Sequence, residues 1–167
     1  MTSFIDYVLG GFGSGMIIAL MALALVLTWR ATRVVNFAQV GQAMFTTFIA
    51  LSLQTLTGSW VIALVGAMVA GALLGVIVQY LVLRPVKRAD TSGAIIATFG
   101  VLIALQAAAG MIWGGDSRAY PQPFGNTAIT LFGREWPVSA YDLVVVGFAV
   151  ILVVGLTLLF TRTNLGL

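Results

Sequence analysis

The 167-residue chain is 60% hydrophobic and 8% charged, with a formal net charge of +3 and a mean hydropathy of +1.09. Soluble domains are about 25% charged, so this composition cannot build a water-facing exterior, and lipid must solvate most of the surface. The chain has no Cys and no His, which excludes disulfides, thiolate metal sites and cysteine nucleophiles and argues against histidine acid–base chemistry or a histidine proton relay.

Five stretches carry no ionisable side chain: Val8–Trp29, Val34–Leu56, Trp60–Leu83, Ala94–Trp113 and Leu143–Phe160. About 20 apolar residues at 1.5 Å rise cross the ~30 Å hydrocarbon core as a helix, and one charge at mid-span costs ~2.5–3.5 kcal/mol. The pattern predicts an all-α, polytopic transmembrane helical bundle of about five membrane segments, forming one membrane domain over residues 1–167. The first stretch has no basic run before it and four more stretches after it, so it reads as a span and not as a cleaved signal peptide.

The second stretch differs from the rest. It reads Asn36-Phe37-Ala38-Gln39-Val40-Gly41-Gln42, followed by Thr46, Thr47, Ser52 and Gln54. At 100° per residue, Asn36, Gln39, Gln42 and Thr46 share an arc of about 120°. Uncharged amides in hydrocarbon need hydrogen-bond partners or water. The arc therefore either lines a path for a small polar or zwitterionic solute or bonds to neighbouring helices. Gly41 permits a broken or re-entrant helix here.

In the third stretch Ala63, Ala67, Gly71 and Gly75 form a small-residue ladder, and Gly11 with Gly15 begins another in the first. Such faces let helices approach closely, within one subunit or between copies. Thr98 in the fourth stretch is a further candidate for the cavity, with Gly100, Gln79 and Gln106 weaker ones.

The segment Gly114–Asp142 is the one water-exposed region the pattern predicts. It opens with Gly114-Gly115-Asp116-Ser117 and holds Pro121, Pro123 and Pro137, all turn-forming. Thr127–Phe132 and Glu135–Ser139 flank Gly133-Arg134, which predicts a short hairpin. It serves as an ordered connector or as a docking surface for an extracytoplasmic partner.

Lys and Arg in short loops stay cytoplasmic. Arg30 and Arg33, then Arg84, Lys87 and Arg88, then Arg162 fall on one side of a five-span chain. The amino terminus is thus expected outside and the carboxyl terminus inside. Trp29, Trp60 and Trp113 mark span ends, where an indole ring sits half buried. The basic excess follows topology and does not imply a nucleic-acid partner. No paired membrane carboxylate, nucleophile elbow, phosphate loop or metal-ligand spacing occurs, so no cofactor and no catalytic residue is expected.

Three motifs in order resemble the permease subunits of branched-chain amino-acid ABC importers of the LivH type. They are Gly11 followed by Asn36-Phe37-Ala38-Gln39, then Arg84-Pro85-Val86-Lys87-Arg88 leading into Ile95-Ile96-Ala97-Thr98-Phe99-Gly100, and Arg162-Thr163-Asn164-Leu165-Gly166. The resemblance implies a bacterial inner-membrane subunit that pairs with a second permease, two cytoplasmic ATPase subunits and an extracytoplasmic substrate-binding protein. Its cavity would face the two sides alternately. The cargo would be branched-chain or other small apolar amino acids, urea or short amides. Carried over by residue, Asn36 and Gln39 would line the path, while Arg84 and Pro85 match a cytoplasmic loop with a packing role. The family's second-helix motif continues with Gly then Glu, where this chain has Val40 and Gly41. Family members also continue past the position of Leu167 into an ATPase-coupling loop, so the chain is expected to be an amino-terminal portion or a truncated product. The alternative is a small self-associating channel or structural bundle held by the Ala63–Gly75 ladder. A membrane-embedded enzyme fits less well, for want of His, Cys and buried acids.

Overall fold

The computed structural model describes residues 4–87, 91–116, 118–121, 128–131 and 134–162. Arg88, Asp90, Ser117, Pro123, Thr127, Phe132, Gly133 and the Thr163–Gly166 run, all singled out above, lie outside the described residues. In chain order the elements are α1 (Phe4–Thr32), α2 (Ala38–Thr57), α3 (Trp60–Ile77), a π-helical segment (Val78–Leu83), α4 (Arg84–Lys87), α5 (Thr91–Trp113), β1 (Ala128–Leu131), β2 (Arg134–Ser139) and α6 (Ala140–Arg162).

Among the described residues, four helical runs are long and apolar enough to cross a bilayer: Asp6–Arg30, Trp60–Val86, Ser92–Trp113 and Ala140–Leu158. The fifth expected segment, α2, is an unbroken helix of 20 residues, about 30 Å at 1.5 Å per residue. Its glutamines and hydroxyls keep it less apolar than the other four. The chain is thus an all-α, multi-pass membrane protein. Large side chains point outward, with Met111 87% and Leu56 81% exposed, which only lipid or another protein surface can accommodate. Buried apolar positions among the described residues are instead mostly Ala: Ala38, Ala50, Ala63, Ala94, Ala109 and Ala149. Lipid is as apolar as Leu, so close backbone packing through small residues is what holds such helices together.

The described residues divide into two compact units, Leu25–Tyr120 and Met1–Ala24 with Pro121–Leu167. In the first, α1 ends where Arg33 turns left-handed at φ 59° and its N–H reaches the Trp29 carbonyl at 2.6 Å. A left-handed non-glycine residue costs ~1–2 kcal/mol. The Arg33 guanidinium lies 5.6 Å above the Trp29 ring, a cation–π contact that offsets part of this. Helices α2 and α3 run antiparallel across a tight turn. Gly58 at φ 67° donates its N–H to Gln54 O at 2.8 Å, and Ser59 Oγ accepts the Ile62 N–H at 3.5 Å to open α3. Helix α5 lies parallel to α2 along its other side. Phe37 stacks on Phe99 with centroids 4.2 Å apart, and Phe48 stacks on Trp113 at 5.3 Å. The most polar helix is thus the one packed between two others.

Val34, Ala38, Val78, Leu83 and Ala94 form one buried cluster. It joins the start of α2, the π segment and the start of α5, and so brings Arg33 and Arg84 to the same end of this unit. Pro85 accounts for the π segment. It has no N–H for the Leu81 carbonyl and its ring crowds that position, so the preceding turn widens. The Arg84 N–H accordingly reaches back five residues to Gln79 O.

In the other unit β1 and β2 pair antiparallel, with Leu131 opposite Arg134, Thr130 opposite Glu135 and Ile129 opposite Trp136, before a register shift toward Ala128 and Ser139. The expected hairpin is present. It feeds α6 through a capping box: Ser139 N–H and Oγ both donate to Asp142 Oδ2, at 2.9 and 2.8 Å, and Asp142 N–H donates to Ser139 Oγ at 3.2 Å. Gly13 of α1 is pressed against this carboxylate, so that a Cβ there would collide with Asp142 Oδ1. The small-residue pair expected in α1 makes no close approach within this chain among the described residues. Gly11 and Gly15 face open space among the described residues, and the close approach is made at Gly13, to a side chain and not to a helix backbone.

Candidate functional site

The sequence placed the polar arc on α2, and the packing of α2 decides which way that arc looks. Phe37, Gly41, Phe45, Phe48 and Ser52 lie on the side that meets α5. There a Cβ on Gly41 would come within 3.3 Å of Leu102 Cα, and Trp113 Nε1–H donates to Ser52 Oγ at 2.7 Å. Gly41 therefore serves close packing within a continuous helix, and the break or re-entry that it permits does not occur. The arc side meets α3: Leu53 packs on Gly66, and Thr46 Cγ2 is 3.5 Å from the Cβ position of Gly71.

Each predicted residue has a definite setting. Asn36 is buried, 7% exposed, and its Oδ1 accepts the Ala38 N–H at 3.1 Å, which starts α2 as an Asx turn. Gln39 and Gln42 are half buried. The Gln39 Oε1 and the Gln42 Nε2 are shielded from solvent and find no hydrogen-bond partner among the described residues. Thr46 Oγ1 is within reach of two carbonyls of its own helix, Gln42 O at 2.9 Å and Ala43 O at 3.0 Å. Thr98 is fully buried. Its hydroxyl donates to Ile95 O at 2.7 Å and accepts the Phe37 N–H at 3.3 Å. The structure thus joins Thr98 to the Asn36-Phe37 end of α2, and strings Gln39, Gln42 and Thr46 up the arc from there. The weaker candidates Gln79, Gly100 and Gln106 are exposed.

Why the amides lack partners follows from what α3 presents. Ala63, Ala67, Gly71 and Gly75 have no polar side-chain atom, and the backbone of a helix interior is already hydrogen-bonded to itself. The close approaches of α3 to α2 are at Gly66 and Gly71, neither with a polar side chain, and Gly75 of the expected ladder meets nothing within 4 Å among the described residues. A buried amide left without a partner costs ~1–3 kcal/mol. One further residue of this kind, Gln54, was not included in the arc. It follows Asn36 by five full turns at 3.6 residues each and so shares its angular position, and its Oε1 is also buried without a partner among the described residues. Continuing the 100° count to the end of the stretch finds it.

No cluster of three or more His, Cys, Asp or Glu able to hold a metal occurs among the described residues. What the fold defines is a multi-pass helical membrane protein whose second helix carries a row of uncharged amides and hydroxyls on one face, joined at its start by the buried Thr98 of α5. The chain belongs to the family described as the permease component of the branched-chain amino acid transport system, which matches residues 7–167. It is also similar to the probable branched-chain amino acid transport permease protein LivH of Methanocaldococcus jannaschii, at 32% identity over 161 residues. That alignment covers 90% of this chain and 49% of the relative, so the chain spans about half the length of the curated relative it matches. No solved structure matches the chain.

Proposed function

We propose that this chain forms part of the permease of an ABC importer for branched-chain or other small apolar amino acids, working as a single membrane domain. It is a transport component and not an enzyme, and it acts beside a second permease, cytoplasmic ATPase subunits that drive the cycle, and an extracytoplasmic binding protein that delivers solute. The amino terminus faces outward, and the end carrying Arg33 and Arg84 faces the cytoplasm. Asn36, Gln39, Gln42, Thr46 and Thr98 line or support the path.

The observation that carries this reading is the pair of buried, unpartnered amide atoms one helical turn apart, Gln39 Oε1 and Gln42 Nε2. One accepts and the other donates, so the pair offers unused bonds of both kinds to a passing zwitterion or its water, without the fixed charge that would trap it. The test is uptake by the intact transporter carrying Gln39→Leu or Gln42→Leu. Lost uptake with normal membrane insertion supports the assignment; parental uptake rates in both variants sink it.

A further inference from the structure

Where α2 and α5 end together beside Trp113, a cleft of about 180 Å³ is lined by Met44, Thr47, Phe48, Leu51, Arg118 and Tyr120. Among the described residues its walls are chiefly apolar, its one charge is cationic and no Asp or Glu lines it. Arg118 is exposed and donates through Nη2 to the Trp113 carbonyl at 2.6 Å, which holds the guanidinium at the level where the apolar span ends. A guanidinium has five N–H donors in a planar fork, so most remain for an anion. Thr47 is exposed at the same cleft, and its hydroxyl is engaged with its own helix at Ala43 O, 2.8 Å away.

The apolar part continues away from the charge. Leu51, Thr47, Met44 and Val40 fall within about 60° of one another at 100° per residue and span twelve residues, about 16 Å of helix. This is the side of α2 left over by α3 and α5, and Val40 is 46% exposed on it. A charge at span-end depth with an apolar stripe running inward from it matches an amphiphile held with its head at the interface.

We infer that this cleft is a binding site for an anionic phospholipid, its phosphate on Arg118 and one acyl chain along Leu51, Met44 and Val40. The charge balance selects this occupant over a free amino acid. A zwitterion also needs an acceptor for its ammonium group, and the lining offers a cation without a matching carboxylate. A zwitterionic lipid is disfavoured because its own choline cation already offsets the phosphate charge that Arg118 would meet. A guanidinium and a phosphate oxygen pair through charge-assisted N–H···O bonds, and these are stronger than bonds between neutral groups.

The experiment titrates the purified full chain in mild detergent with phosphatidylglycerol and with phosphatidylcholine of the same acyl chains, reading bound lipid by native mass spectrometry. Phosphatidylglycerol is expected to bind tighter than phosphatidylcholine by several-fold. Arg118→Gln removes that preference, Arg118→Lys keeps most of it, and Leu51→Trp, which fills the apolar wall, weakens both lipids. Equal binding of the two lipids by the parent chain, or an undiminished preference in Arg118→Gln, overturns the inference. So does displacement of bound phosphatidylglycerol by free L-leucine, which would make the cleft a solute site.

Discussion

The Phe37 amide donates to the buried hydroxyl of Thr98 at 3.3 Å, and the same hydroxyl passes its own proton to Ile95 O at 2.7 Å. A side chain from α5 thereby satisfies one of the amides that a helix start leaves without an intrahelical partner. It does so at the residue just before α2, next to Asn36, which caps Ala38. The start of the polar helix is held by these two bonds, and the aromatic stack of Phe37 on Phe99 lies directly beside them.

Thr98→Val keeps the shape of the side chain and leaves the Phe37 N–H unpaired. We expect a loss of ~1–3 kcal/mol, seen as a lower thermal midpoint in detergent, with Thr98→Ser close to the parent. A Val variant as stable as the parent would mean that the bond at the start of α2 carries no weight.

At the other end of the α2–α5 pair, Trp113 Nε1–H donates to Ser52 Oγ while Phe45 meets its ring edge-on at 5.1 Å. Ser52→Ala is expected to cost about 1 kcal/mol and to shift Trp113 emission, read in a background where the other three tryptophans are Phe. Unchanged emission would show that the indole has another partner.

The glycines of α1 make a sharper test. Gly13→Ala drives a methyl into the Asp142 carboxylate and disturbs the capping box of α6. The expected cost is ~1–3 kcal/mol from overpacking, whereas Gly11→Ala and Gly15→Ala, in open space, should stay within about 0.5 kcal/mol of the parent. Equal effects at all three positions would contradict the packing described.

Gly41→Ala places a Cβ 3.3 Å from the Leu102 Cα, and a backbone atom cannot rotate away as the nearby Leu105 Cδ1 can. Separation of α2 from α5 should lower stability by ~1–3 kcal/mol. Gly100→Ala, with nothing within 4 Å, should be neutral or gain up to ~1 kcal/mol from helix propensity. Thermal melts of the two variants side by side decide it.

Much of this arrangement can be read from the residues, because lipid imposes a simple rule on them. Uncharged stretches gave the helices, the Thr57-Gly58-Ser59 turn separated α2 from α3, and the 100° count put Gln39, Gln42 and Thr46 on one face. The direction of that face was not legible, since it depends on which neighbour presents glycine and alanine to it. The close approach at Gly13 was not legible from the Gly11–Gly15 spacing for a related reason. A four-residue repeat reports a smooth face, while Gly13 is small because a carboxylate from a residue 129 positions later needs the space. The cleft at Arg118 was hidden too, for Arg118 and Met44 are 74 positions apart and meet only through the parallel run of α2 and α5.

The widened turn before Pro85 has a consequence of its own. A π turn holds a residue more than the α path it replaces, so that surplus residue loosens the phase between the glycine ladder of α3 and the basic end at Arg84. Because Pro85 causes the widening, replacing it and removing one residue from Val78–Leu83 together would return the run to ordinary α-helix without re-indexing α3 against α2. The segment thus acts as a vernier, letting the packing register of a buried helix and the placement of its charged terminus be adjusted separately.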